Sequence, residues 1–295
     1  MSKWLKKLSC IFFLAFPLFF AGHFHLAATA EEPETITWMV LDLPPLFIIN
    51  GPDAGRGIAD RVQKMISNGL KGRRFETRVA NASRIAKELS EDSNVCFAGE
   101  FYGNPAIFTS IPTIALPHHN LIVLKENAHL FGKSEKVSLK SLLVNRELIF
   151  GTAKNRLYGP ELDEILRQYA GSKNIYTRSG KDTLEGLLGM LDKKRVHYLI
   201  EYPVSIRYAA TKAGMWDRLK VIPIHENAET PYVRGAVRCS DTSWGRQLIG
   251  EINEVLRMIR PTPEYRRIME DWIIVPGNEK DYWKIHESRV LKVTE

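Results

Sequence analysis

The sequence predicts an α/β fold of two lobes, each a mostly parallel sheet flanked by helices, joined by a two-strand hinge. Three observations carry this. Short β-branched and aromatic runs alternate with segments of helical period from residue 36 to residue 273, which argues for parallel-sheet units. The alternation contains no internal repeat and no low-complexity stretch. Finally, a strand at 232–238 is followed by two helices, so that a second α/β unit reads as inserted into the first.

The elements follow in order. Residues 36–41 are rich in β-branched and aromatic types and form the first strand. Pro44 and Pro45 cannot donate to a ladder and end it in a turn. Asn50, Gly51, Pro52, Asp53 and Gly55 are turn chemistry, and Val62, Met65, Ile66 and Leu70 give the next segment a helical period from Ile58. A second strand is predicted at 75–79. A helix follows at 82–89, with Ser83 as its candidate cap, then a short buried strand at 94–98 and a loop at 99–105. Residues 121–124 are a strand, and Lys125-Glu126-Asn127 reads as the crossing between lobes. The second unit holds a helix at 139–143, a strand at 147–152, and a helix at 161–169 with Pro160 at its first position. A strand at 174–177 and a helix at 183–191 follow, the helix with Leu184, Leu187, Leu188 and Leu191 on one stripe. The remaining elements are a strand at 196–200, a helix at 204–213 and a strand at 219–224, then the return strand and helices at 244–258 and 263–273. The expected division is 31–124 for the first part of lobe 1, 125–229 for the inserted lobe 2, 230–275 for the return to lobe 1, and 276–295 for a C-terminal tail.

The first thirty residues are a targeting segment. Lys3, Lys6 and Lys7 precede an apolar core at 11–20, and Ala28-Thr29-Ala30 is a small-x-small cleavage site. The apolar run is shorter than the roughly 18–20 residues a spanning helix needs. Cys10 lies before that core, which argues against lipidation. The whole chain of 295 residues carries +7, so the exported part of about 265 residues carries about +4 without the three lysines. Its charges are interleaved, as in 181–195 and 257–271, and no basic run alternates with aromatics, so nucleic-acid binding is not expected.

The quoted residues have counterparts in a known family. Pro44-Pro45-Leu46-Phe47 is similar to a Pro-Pro-Phe turn, and Gly57-Ile58-Ala59-Asp60 to a Gly-Phe-Asp-Val-Asp helix start. Phe108-Thr109-Ser110-Ile111-Pro112 is similar to a Phe-Ser-x-Pro segment. Arg195-Val196-His197-Tyr198-Leu199-Ile200-Glu201 is similar to an Arg-Val-Asp-Ala-x-x-x-Asp strand, and 265–272 to a closing helix ending in Lys-Trp. In their order and spacing these segments resemble the bacterial periplasmic solute-binding proteins of family 3, the amino-acid-binding type, from about residue 36 to residue 274. The resemblance implies the type II periplasmic-binding fold, a periplasmic location after cleavage near Ala30, a monomer, no cofactor, and an inner-membrane ABC permease or a membrane sensor as partner. Gly235-Ala236-Val237-Arg238-Cys239 with Trp244-Gly245 points to a branch whose ligand family membership does not assign.

One departure bears on the ligand. Amino-acid binders of this type carry Thr-x-x-Arg after the third strand, its arginine gripping a carboxylate. Here residues 100–107 contain no arginine. Arg156, before a helix N-terminus, is the best substitute; the alternative is that it pairs with Glu161 or solvent. Ligands of such folds sit between the carboxyl ends of strands, which selects Asp42 and Phe47, Glu100, Phe101 and Tyr102, then Arg156, Tyr158 and Gly159, and finally Glu201 and Tyr202. Glu201 matches the family's ammonium-receiving acid, and the aromatics are either cleft walls or core. Glu100 as a general acid or base would fit an enzyme on the same scaffold, dehydratase-like, with Glu201 as the other candidate acid. A hydrogen-bonded loop carboxylate is the plainer reading of Glu100. A ligandless interaction module is the third option. His118 and His119 are adjacent on an extended segment and point apart, so no metal site is expected. In this fold the third strand lies antiparallel to the return strand, which implies that Cys96 and Cys239 meet in a disulfide away from the cleft. The function expected is binding of a small polar solute, amino-acid-like or cationic, for ABC-type uptake or signalling, and not catalysis.

Overall fold

A computed structural model describes residues 33–91, 93–180, 183–274 and 279–294; the targeting segment lies outside them. In chain order the strands are β1 (Thr35–Val40), β2 (Arg74–Val79), β3 (Val95–Phe101), β4 (Ile114–Pro117), β5 (Asn120–Leu124), β6 (Phe150–Ala153), β7 (Ile175–Arg178), β8 (Tyr198–Glu201), β9 (Leu219–Pro223) and β10 (Tyr232–Cys239). The helices are α1 (Ile58–Gly69), α2 (Ala82–Ser90), α3 (Leu139–Val144), α4 (Pro160–Gln168), α5 (Thr183–Asp192), α6 (Pro203–Lys212), α7 (Ser243–Ile259), α8 (Pro263–Trp272) and α9 (Glu279–His286).

The strands form two five-stranded sheets, ordered β2-β1-β3-β10-β4 and β7-β6-β8-β5-β9. In the first, β1 runs parallel to β2 and β3, and β10 runs antiparallel to β3 and β4. In the second, β6 is parallel to β7 and β8, while β5 is antiparallel to β8 and β9. Each sheet thus holds one strand of opposite sense, β10 in the first and β5 in the second, between three parallel strands and an edge strand, β4 or β9, that runs in their direction. Trp38, Ile58, Val237 and Tyr265 lie in the main core of the first sheet; Phe150 and Tyr198 pack one face of the second, and Leu188 and Ile206 the other.

The opening segment is held by its own backbone. Leu43 and Phe47 exchange two backbone hydrogen bonds around the cis Pro44–Pro45 peptide. The first amides of α1 are satisfied by that turn, Ile58 donating to Pro45 O and Ala59 to Leu46 O. Asp60 Oδ2 accepts from the amides of Ile48 and Gly57, locking hairpin to helix. Gly57 is required here by space, since a Cβ would lie 2.5 Å from Leu46 O.

Several expectations are corrected. The crossing between sheets is at His118-His119, between Pro117 of β4 and Asn120 of β5, and not at Lys125–Asn127, which opens a short 3-10 segment. Residues 121–124, placed with lobe 1, pair in the second sheet. A short, wholly apolar run shows that a strand is buried and leaves open in which sheet. β4 is absent from the expected elements because Pro112 precedes it and Pro117 ends it; it is an edge strand, where a proline costs no ladder bond. Asn81 caps α2, accepting from the Arg84 amide, with Ser83 Oγ donating to Asn81 Oδ1. β3 continues through Gly99 to Phe101, where a loop was expected.

Within the segment read as a tail, residues 279–291 are helical. Tyr282 and Val290 are buried, and Tyr282 joins the first core. The buried Arg260 guanidinium donates to the carbonyls of Pro112, Val290 and Val293, tying α7 to the end of the chain. Arg260→Ala is expected to cost on the order of 3 kcal/mol in urea unfolding, since charge-assisted bonds are worth about 1.5–3 kcal/mol each when not fully replaced; a change within error would remove this anchoring role.

Candidate functional site

A cavity of about 240 Å³ opens where strands from both sheets end. Asp42, Leu43 and Pro44, directly after β1, form one wall. The other is built from the ends of β6 and β8, the loop after β6 and the helices α5 and α6, including Ala153, Arg156, Tyr158, Glu201 and Ser205. The topology dictates this meeting, because ligand crevices of α/β sheets lie outside the carboxyl ends of parallel strands.

Arg156 and Glu201 meet directly. Glu201 Oε1 accepts from Arg156 Nη2 and from the Tyr202 amide. Burial pushes the Glu201 carboxyl up, and Arg156 beside it pulls down. Burial alone would lower Arg156, but Glu201 and the neighbouring tyrosines hold its guanidinium above its ordinary value. The guanidinium carbon lies 5.9 Å from the Tyr158 ring centre and 5.8 Å from that of Tyr202. Tyr158 Oη is 2.6 Å from Thr152 Oγ1, and burial raises its pKa.

His119 lies behind this pair. Its ring centre is 3.8 Å from that of Tyr202 and 5.3 Å from that of Tyr158. Burial, then the nearby Arg156 and His118, hold it down at about 2, so the imidazole is neutral. His118 is also lowered by burial, against a pull from Glu161, and its Nδ1 accepts from the His119 amide. The His118 amide donates to Pro231 O, and Asn227 Nδ2 to His119 O, so this crossing is tied to the segment that leads back from β9 to β10. Among the described residues no cluster of three His, Cys, Asp or Glu side chains is placed to hold a metal ion.

Of the ten candidate binding residues, Asp42, Arg156, Tyr158 and Glu201 line the cavity. The others do not. Phe47 is fully buried and stacks on Phe97 in the core of the first sheet, with ring centres 5.5 Å apart. Glu100 accepts from the Phe101 amide and lies 3.5 Å from Arg238. Phe101 is exposed on the surface, and Tyr102 carries the Arg234 guanidinium 4.4 Å from its ring centre. Gly159 caps α4 at φ +100°, and Tyr202 stacks on His119. The α4 N-terminus, expected to help attract an anion, is filled by its own chain: Asp163 accepts from the amides of Tyr158 and Gly159. Arg156 pairs with Glu201 and not with Glu161. Glu185, Ser205 and Tyr208 also line the cavity and were not foreseen. Glu185 and Ser205 lie in the first turns of α5 and α6, after strand ends, whereas Tyr208 is one turn further along α6 and carries no such signal.

No protein-family model matches the chain, and no curated protein matches it by sequence. Solved structures do match. A histidine kinase sensor domain with similarity to periplasmic binding proteins aligns at a TM-score of 0.60 and 16% identity, over 82% of this chain and 97% of that one. The chain has the two-lobed fold of the type II periplasmic binding proteins. A structure described under glutathione import via GshT and the cystine ABC importer TcyBC of Streptococcus mutans aligns at 0.62 and 14%, over 82% and 95%. A Salmonella typhimurium periplasmic binding protein of high arginine specificity aligns at 0.57 and 13%, over 82% and 100%.

Proposed function

We propose that the chain is an exported solute-binding protein whose lobes close around a small amino-acid-like or cationic solute. The observation that supports this is the cavity itself, with Asp42 on one wall and the part-buried Arg156–Glu201 pair on the other. At about 240 Å³ it falls below the roughly 300–1,000 Å³ of drug-sized pockets, which fits a metabolite of few heavy atoms. Asp42, Glu185 and Glu201 against Arg156 give the lining an acidic excess, which favours a solute carrying an ammonium group. The solute-loaded form would be read by a membrane permease or a membrane sensor; the neighbours include examples of both. The targeting segment supports a periplasmic location. No described helix is long and apolar enough to cross a membrane. Binding is preferred to acid–base catalysis because Glu100 is engaged by Arg238 and stands away from the cavity, and Glu201, which lines it, is engaged by Arg156.

A thermal-shift screen of amino acids, polyamines, small peptides and organic acids tests the reading. A true solute at a hundredfold excess over its dissociation constant stabilises by about 2.7 kcal/mol. Asp42→Asn should weaken its binding by about tenfold, or about 1.4 kcal/mol. If no solute raises the melting temperature, the reading fails.

A further inference from the structure

The acid that a solute's cation would seek is already paired with a cation of the chain. Glu201 Oε1 receives Arg156 Nη2, and the guanidinium lies within 6 Å of the centres of the Tyr158 and Tyr202 rings. A carboxylate with aromatic faces around one cation is the chemistry that recognises a guanidinium or ammonium ion. All four residues belong to the second sheet's strand ends, so this pairing forms within one lobe and needs no closure. The tether is short. Asn155 takes a left-handed φ of +60°, Arg156 N–H donates to Ala153 O, and Leu157 is 74% exposed while Arg156 points inward. Arginine does not lose its proton, so the occupant is permanent. The occupant also has unused donors. Arg156 Nε is buried without a partner, Nη1 makes no hydrogen bond among the described residues, and Arg156 lines the cavity.

We propose that Arg156 is a built-in occupant of the Glu201 subsite. It closes that subsite to free guanidinium and ammonium groups and offers its remaining donors to a carboxylate. On the solute-binding reading, a zwitterionic solute would then enter with its carboxylate toward Arg156 and its ammonium toward Asp42, the reverse of the orientation expected from an unpaired Glu201. The occupancy itself does not depend on which solute is natural.

Chemical rescue decides it. The wild type, Arg156→Ala, Arg156→Met (which keeps an apolar stem) and Arg156→Met/Glu201→Gln are titrated with methylguanidinium chloride, with sodium chloride as the ionic control. Both single variants should gain a saturable rise in melting temperature, with an affinity at least about tenfold above any seen for the wild type or the double variant. Equal response of wild type and single variants, or none in folded single variants, overturns the proposal. An arm needing no variant is nitrogen NMR of the wild type. The Arg156 Nη protons should be resolved by slow rotation and unmoved by methylguanidinium; a freely rotating guanidinium, or its displacement, would overturn the proposal even if neither variant folds. Failure of the solute screen with successful rescue would reject the transport-or-sensing reading and leave the occupied subsite standing.

Discussion

Reduction of the Cys96–Cys239 disulfide is expected to lower the stability of the folded chain by up to about 5 kcal/mol. The two cysteines are bonded and are direct register partners between β3 and β10. Their sequence separation is 143, and the loop they close contains the whole second sheet. An open chain must therefore find the β3–β10 pairing across a long insertion, a closure whose entropic cost the bridge removes from the unfolded side. The pairing is central to the first sheet, because β10 also carries β4 on its other edge. Urea unfolding with and without reductant is the measurement. The midpoint should fall on reduction, and the slope should rise, since a cross-linked unfolded ensemble exposes less surface. The Cys96→Ala/Cys239→Ala variant should match the reduced wild type. An unchanged midpoint would mean that the return strand docks without the bridge.

That bridge was foreseen, and the reason shows what the sequence could carry. Cys96 and Cys239 lie in strands whose apolar runs announce them, and the fold implied by the resemblance fixes those strands as neighbours. The Pro44-Pro45 turn and the Gly57 helix start were similarly legible, because proline and glycine restrict the backbone locally. Sheet membership was harder. Residues 121–124 are buried on both faces in either sheet, so their composition is the same for either answer, and the crossing was placed several residues late. The site was legible one residue at a time but not as pairs. Arg156 and Glu201 were each selected as strand-end residues, yet their mutual ion pair spans 45 positions and depends on β6 and β8 lying side by side. Phe47 shows the opposite error. Adjacency to a strand end placed it in the cleft, while the turn around Pro44–Pro45 swings it back beneath the sheet against Phe97.

The same pair yields the second large effect. Arg156→Ala is expected to destabilise the folded chain by about 3 kcal/mol at about pH 8, because a buried carboxylate loses its partner. The loss should shrink as the solution is acidified. Burial already raises Glu201 above its ordinary value of 4.5, with Arg156 pulling against that rise. Without the arginine the folded carboxyl titrates higher still, while the unfolded one stays near 4.5. Between those two values the folded chain holds a proton that the unfolded chain has released, so stability falls as pH rises through the window. Below the window both states are protonated, and the charge penalty is gone. Arg156→Met/Glu201→Gln should recover most of the loss at all pH values, since the amide oxygen can still accept from the Tyr202 amide that Glu201 Oε1 serves. Denaturant midpoints of wild type, single and double variants across that range are the measurement. A penalty independent of pH in Arg156→Ala would mean that Glu201 turns to water once its partner is gone, so that the pair supplies packing and not charge compensation.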